Sequence, residues 1–183
     1  MTAKDPSEII DQLSPYDAQA VLKILARGDA ETAAHIAEVA RARLRGVDPE
    51  EVAFILYDEL TLLKPEEVWD RAGPTRHGYV DPTDAAYEMI EEVLDPYLED
   101  LQKYQRLGMS AEANQICMGL LLGFYRFDHE SDAEFKDWAP SAMSVFRDRV
   151  VETWRSGQPS RADVKTVQTF IEEQLRGWGP RLD

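Results

Sequence analysis

The sequence predicts an all-α protein built from about eight antiparallel helices, and two observations support this prediction. Apolar residues recur at helical spacing in every long segment, and no segment shows the sustained alternation typical of a strand, so we expect no sheet. Helix-starting Ser or Asp alternates with helix-ending Gly along the chain. We expect helical hairpins that form a bundle or a short superhelical array like TPR or HEAT repeats.

Residues 1–13 allow a short helix around Ile9, Ile10 and Leu13, and four helices are predicted from there to residue 73. The first follows Ser14-Pro15 and ends near Gly28, and the second follows Asp29 and is rich in alanine, which allows close helix packing. The third begins at Asp48, where Glu51 completes an expected capping box. A short fourth helix follows Lys64-Pro65. The apolar positions of the first two are Ala18, Val21, Leu22 and Leu25, then Ala33, Ile36, Ala37, Ala40 and Leu44.

Four more helices are predicted after an irregular connection over residues 73–80. The longest follows Asp81-Pro82, and Pro96 inside it is expected to kink the helix or divide it in two. The next, which Ser110 opens, is apolar on two faces and should be the most buried. Two further helices start near Ser141 and Ser160.

The length of 183 residues favours a single domain. We expect one all-helical domain over 1–183, with possible halves 14–73 and 81–177 joined by the loop 73–80. A weak internal similarity supports helical hairpins. Gly28 and Gly108 are each followed by an alanine five residues later and an isoleucine eight residues later.

Several segments resemble the helical region that accompanies SWIM-type zinc fingers in bacterial proteins. They are the segment from Leu13 to Leu22, the helix from Tyr79 to Leu101, the Gly108 hairpin and the acidic segment from Asp128 to Asp132. The resemblance covers about 13–140 and implies an all-helical scaffold for protein contacts. The finger needs a Cys-x-Cys and Cys-x-His set, and this chain contains only Cys117, so zinc-dependent nucleic-acid recognition does not carry over.

Charge argues against several classes of partner. The chain has 35 acidic and 20 basic residues, a net charge of −15, which disfavours direct binding to nucleic acids and anionic membranes. No apolar run approaches the roughly 20 residues of a membrane span, and the first residues lack the apolar stretch of a secretion signal. We therefore expect a cytoplasmic protein. Cys117 lies in a strongly apolar segment, which indicates a buried, inert thiol.

Catalytic and metal-binding patterns are weak. Glu31 and His35 lie one helical turn apart, but a solvated helix pair explains them better than a metal site. The alternating carboxylates Asp128, Glu130 and Asp132 lack the central glycine and the final Glu of a calcium loop. The sequence contains neither a nucleophile elbow nor a phosphate-binding glycine loop. We expect no bound metal, no cofactor and no enzymatic activity.

Binding to another protein, or to a second copy of the chain, is the function that the sequence favours. The first candidate surface is the connection with Trp69, Arg76, His77 and Tyr79, residue types that include those enriched at interface hot spots. The second is the acidic loop with Asp128, His129, Glu130 and Asp132. Two alternatives stay open: a metal-dependent enzyme whose carboxylates and histidines meet only in the fold, and an acidic mimic of nucleic acid. The mimic needs carboxylates regularly spaced on one face, a spacing that the order of residues along the chain does not reveal.

Overall fold

A computed structural model describes residues 5–76 and 78–182. It is 76% helical, and its described part contains nine α-helices, a short 3-10 helix and one two-stranded hairpin, so the all-α prediction is confirmed. The chain forms two compact units, Met1–Arg45 and Gly46–Asp183. The boundary falls at residues 45 and 46, and the connection 73–80 lies within the second unit.

The first unit contains α1 (Pro6–Ile10), α2 (Pro15–Gly28) and α3 (Ala30–Leu44). Each helix is capped by the side chain that precedes it: Asp5, Ser14 and Asp29 accept hydrogen bonds from the first-turn amides of Ser7, Asp17 and Thr32. Helix α2 packs against α3 as a hairpin. None of the described residues in these three helices is buried.

The second unit begins with α4 (Pro49–Thr61) and α5 (Pro65–Arg71) and continues into strands β1 (Gly73–Thr75) and β2 (Gly78–Val80). Helices α6 (Pro82–Arg106) and α7 (Ser110–Glu130) follow, then the 3-10 helix (Glu134–Trp138). The unit ends with α8 (Ala142–Ser156) and α9 (Arg161–Gln174).

Helix α7 lies at the centre of the second unit. It packs against α4, α6, α8 and α9, and 12 of its 21 residues are buried. It is the most buried helix among the described residues, as predicted. The large side chains of α7 and the helices around it that are almost fully buried include Leu56, Leu60, Met89, Ile90, Leu94, Leu101, Leu120, Leu121, Phe124, Phe127, Phe135 and Trp154.

Two glycines of α7 allow its close approach to α4. A Cβ atom at Gly119 would lie 2.6 Å from Val52 Cβ and 2.8 Å from the Pro49 carbonyl oxygen. A Cβ atom at Gly123 would lie 3.0 Å from Leu56 Cδ2. The two glycines are four residues apart, so they lie one turn apart on the same face of α7.

Two expectations about local structure are wrong, and one is wrong in part. Residues 73–75 and 78–80 form an antiparallel hairpin, in which Gly73 lies opposite Val80 and Gly78 opposite Thr75, and both glycines adopt positive φ values, 115° and 135°. Asp48 caps α4 through Glu50, and the observed capping box joins Ser160 and Asp163 instead.

For Pro96, a divided helix is wrong, because α6 continues through the proline, and a kink there stays a prediction. Both Pro96 and Glu92 are exposed, so water can bond the Glu92 carbonyl that the proline leaves without a backbone donor.

Candidate functional site

The aromatic residues of the predicted connection are separated by the hairpin. Trp69 lies on α5, is 56% exposed, and meets Trp138 of the 3-10 helix edge to face, with ring centroids 4.8 Å apart. Tyr79 lies on β2 opposite Pro74 and is 71% exposed, while Arg76 lies in the exposed turn. His77 is outside the described residues. Trp69 is therefore partly covered by Trp138, and about half of its surface stays exposed. Binding at this surface stays a prediction.

The acidic loop is occupied by contacts within the chain. Asp128 Oδ2 accepts a hydrogen bond of 2.9 Å from the indole nitrogen of Trp178. His129 stacks on Tyr125 at a centroid distance of 4.4 Å, and its Nδ1 lies 3.0 Å from the Tyr125 carbonyl oxygen. Glu130 ends α7 and Asp132 lies in the following loop, and both are exposed. Asp128 and His129 thus form a structural contact with the C-terminal segment.

Arg147 completes this contact, which we call the Trp178 clasp: Tyr125, Asp128, His129, Arg147 and Trp178. Arg147 donates a hydrogen bond of 2.8 Å to the Trp178 carbonyl oxygen, and its guanidinium carbon lies 5.2 Å from the centre of the indole ring. The clasp holds the segment after α9 against α7 and α8.

A polar network joins α7, α8 and α9. Its members lie far apart along the chain, so the sequence does not predict it. The Asn114 amide donates to Asp163 Oδ1 at 2.6 Å and accepts from the Trp154 indole nitrogen at 2.9 Å. Asp163 also accepts from the backbone amide and hydroxyl of Ser160. The Ser160 hydroxyl, followed by Asn114, lowers the pKa of the Asp163 carboxyl because both donors stabilise its charged form.

A cavity of about 120 Å³ borders this network, lined by Gln105, Gly108, Ser110, Ala113, Asn114, Trp154, Gly157 and Pro159. Gln105 donates to the Thr153 and Trp154 carbonyl oxygens at the end of α8. Within the described chain, every buried side-chain nitrogen or oxygen has a hydrogen-bond partner. The network therefore joins three helices through hydrogen bonds that satisfy its buried side chains.

The carboxylates, histidines and thiol considered as metal ligands or catalytic groups lie apart. No group of three His, Cys, Asp or Glu side chains that could hold a metal ion occurs over 5–76 and 78–182. Glu31 and His35 lie on the exposed surface of α3. Cys117 is buried, and its burial raises the pKa of the thiol, which disfavours the reactive thiolate.

Helix α6 carries a row of carboxylates that the sequence reading overlooked. The signal is a repeat of acidic residues every three or four positions, which places Asp84, Glu88, Glu91, Asp95 and Glu99 along one side of the helix. The row is partly compensated within the protein: Arg149 bonds both Glu91 and Asp95. Beside it, Arg71 bonds Glu92 at 2.7 Å and lowers the pKa of that carboxyl.

The hairpin of the first unit carries the main uncovered apolar surface. Val21, Leu22 and Leu25, which we call the α2 stripe, share one face of α2 and are 40%, 47% and 49% exposed. The face of α3 predicted to pack against α2 is rich in alanine, and side chains of that size cover little of a leucine. The large apolar residues exposed in this unit are Ile9, Ile10, Tyr16, Val21, Leu22, Ile24, Leu25 and Val39.

Charge is distributed unevenly between the two units. The segment 1–45 contains seven acidic and six basic residues, whereas 46–183 contains 28 acidic and 14 basic residues. Almost all of the net charge of −15 therefore belongs to the second unit. The hairpin is nearly neutral and apolar, and the acidity that dominates the composition does not describe its surface.

The chain matches no protein-family model, no curated protein and no solved structure. The resemblance to the helical region of SWIM-type proteins stays a prediction. Among the described helices, none combines the length and apolar character that crossing a membrane requires.

Proposed function

We propose that this chain is a non-catalytic helical scaffold that binds a protein partner through the α2 stripe. The observation that carries the proposal is the absence of any buried residue in the described part of α1, α2 and α3. Short helices in water gain most of their stability from packing an apolar face. A hairpin that leaves this face half exposed gains stability when another surface covers it.

The α2 stripe alone offers a modest apolar area. Full burial of a Val, Leu or Ile side chain contributes about 1.5–3 kcal/mol, so covering the half-exposed side chains of the stripe contributes on the order of 3 kcal/mol. The cost of association is about 4–15 kcal/mol. A partner therefore has to bury apolar side chains of its own, or to cover other exposed apolar residues of α1 and α3 as well.

The exposed apolar residues of the second unit are weaker candidates. Phe54 and Ile55 are exposed on α4, and Leu62 is exposed just after its last residue, but that helix already buries Ala53, Leu56 and Leu60 in the core. Isolated apolar residues on the outside of a packed helix are common in proteins that do not use them for binding. The α2 stripe differs because its helix has no buried residue among those described.

The two alternative functions receive less support. A metal-dependent enzyme needs converging ligands, and the described residues include no group of three. An acidic mimic of nucleic acid could use the row on α6, where Arg149 already compensates Glu91 and Asp95. A cytoplasmic location, as expected from the sequence, would suit a scaffold of this kind.

Affinity capture with three forms of the full chain tests the proposal. The forms are the wild type, the stripe variant Leu22→Gln with Leu25→Gln, and a control variant Gln19→Ala at an exposed position of the same helix. Leu and Gln have similar helix propensities, and the stripe variant leaves the charge unchanged. We expect a specific protein to be retained at high salt by the wild type and the control and lost from the stripe variant. Equal retention by all three forms contradicts the proposal.

A further inference from the structure

We propose that the occupant of the α2 stripe is a second copy of this chain, docked antiparallel across α2 so that two hairpins form one intermolecular four-helix bundle. The inference rests on the proposed function and specifies its partner. Homo-oligomers most often form around a two-fold axis, where one surface patch meets its own copy. Such an interface needs a patch that is complementary to itself after a half-turn.

The position of the stripe on α2 meets that requirement. Helix α2 runs from residue 15 to residue 28, and its apolar face runs from Ala18 to Leu25. Both segments have their midpoint between residues 21 and 22. A two-fold axis through this point places Val21 opposite Leu22 and Ala18 opposite Leu25 of the partner copy. A small side chain therefore meets a large one at each end of the seam, and Val21 meets Leu22 at its centre.

The charges of the hairpin favour the antiparallel direction. Asp17 lies in the first turn of α2, while Lys23 and Arg27 lie in its second half. Helix α3 has the same polarity, with Glu31 in its first turn and basic residues in its last. Antiparallel docking brings the acidic end of each helix towards the basic end of its copy, whereas parallel docking brings like charges together.

The balance of charge also favours self-association over a strongly charged partner. Two hairpins, each with seven acidic and six basic residues, approach without strong net repulsion. A highly basic protein would instead be attracted to the 46–183 segment, which carries 28 acidic and 14 basic residues. The α2 stripe has no charged side chain within it, so its natural complement is another apolar helix face.

Sedimentation of the purified full chain over a range of concentrations tests this inference. We expect the mass to rise from 20.8 kDa to twice that value as concentration increases. The stripe variant should weaken the dimer by on the order of a hundredfold, because four leucines leave the interface of two copies. The control variant should dimerise like the wild type, and far-UV circular dichroism should show that all three forms keep their helices.

Disulfide cross-linking tests the direction of docking. Antiparallel docking brings position 18 close to position 25 of the other copy, while two copies of position 18 lie about 10 Å apart along the helix axes alone, too far for a disulfide. A mixture of the Ala18→Cys chain and the Leu25→Cys chain should therefore cross-link on oxidation, and Ala18→Cys alone should not. Cys117 is buried, so the native thiol should not compete.

The possible outcomes separate this inference from the proposed function. A wild type that stays monomeric at every concentration overturns the inference, and so does a dimer that the stripe variant retains. Self-cross-linking of Ala18→Cys overturns the antiparallel arrangement. A monomeric chain that still captures another protein through the stripe leaves the proposed function standing, whereas a monomer that captures nothing contradicts both.

Discussion

The missing side chain of Gly119 sets how closely α7 approaches α4. Replacement by Ala would place a Cβ atom 2.6 Å from Val52 Cβ and 2.8 Å from a backbone oxygen, so one helix has to shift. We expect Gly119→Ala to lower the free energy of unfolding by about 1–3 kcal/mol, despite the better helix propensity of Ala. Urea unfolding followed by fluorescence measures the change.

Gly28 provides a matched control for this substitution. It also lies in a helix, its φ value is not positive, and a Cβ atom there would meet no atom within 4 Å. Gly28→Ala should therefore be neutral or stabilising by up to about 1 kcal/mol. If both variants were equally stable, the proposed close contact between α7 and α4 would be wrong.

Also at the residue scale, Asp163 makes part of the stability dependent on pH. Its folded-state pKa lies below the ordinary value of 3.8, so the ionised form stabilises the native state above about pH 4. This contribution is lost as the pH falls through the lowered folded-state pKa. We expect Asp163→Asn to cost about 1 kcal/mol at pH 7 and much less near pH 2.

Urea unfolding of Asp163→Asn and the wild type at the two pH values provides the measurement. Ser160→Ala serves as a second variant because the Ser160 hydroxyl is the main cause of the lowered pKa. Ser160→Ala should also make the free energy of unfolding less dependent on pH over this range. If the difference in the free energy of unfolding between the wild type and Asp163→Asn were the same at both pH values, ionised Asp163 would not be the source of this pH dependence.

Single residues were predictable from the sequence where their partners are local. Ser14 and Asp81 cap helices as predicted, because a capping side chain bonds an amide two or three residues away. Asn114 and Gly119 were not recognised, since their partners lie far along the chain: Asn114 bonds Asp163, and Gly119 packs against Val52. Nothing near either residue in the sequence indicates such a contact.

At the scale of elements, the Trp178 clasp anchors the segment that follows α9. Trp178→Ala removes the hydrogen bond to Asp128 and the contact with Arg147, interactions worth together about 1–2 kcal/mol. We expect amide hydrogen exchange in residues 176–182 to become faster, while exchange in α7 changes little. Arg181→Ala, on an exposed residue of the same segment, is the control and should leave this exchange unchanged.

The helices were far more predictable than the short strands. An amphipathic helix such as α6 repeats its apolar spacing over many turns, so the pattern stands out. Strands β1 and β2 have three residues each, too few for alternation to be recognised, and their pairing depends on the backbone conformations of Gly73 and Gly78. The candidate surface at Trp69 and Tyr79 was identified by residue type, but its hairpin geometry was not.

At the scale of the whole molecule, the two units differ in how their helices are stabilised. Helices α2 and α3 have no buried residue among those described, whereas α7 has 12. We expect amide hydrogen exchange in α2 and α3 to be much faster than in α7 when the protein is dilute. Raising the protein concentration should slow exchange in α2, because docking of a second copy protects it.

Mass spectrometry of peptides from each helix measures these exchange rates at a low and a high protein concentration. The stripe variant should show the same fast exchange in α2 at both concentrations, and α7 should be equally protected in all samples. Strong protection of α2 in dilute wild-type protein would contradict the view that this hairpin depends on a partner.

The division at residues 45 and 46 has a spectroscopic consequence. All four tryptophans lie in the second unit, at positions 69, 138, 154 and 178. Tryptophan emission during heating therefore reports the melting of that unit, while ellipticity at 222 nm sums over the helices of both. A melting profile that begins earlier by ellipticity than by emission would be the optical signature of two units that melt at different temperatures.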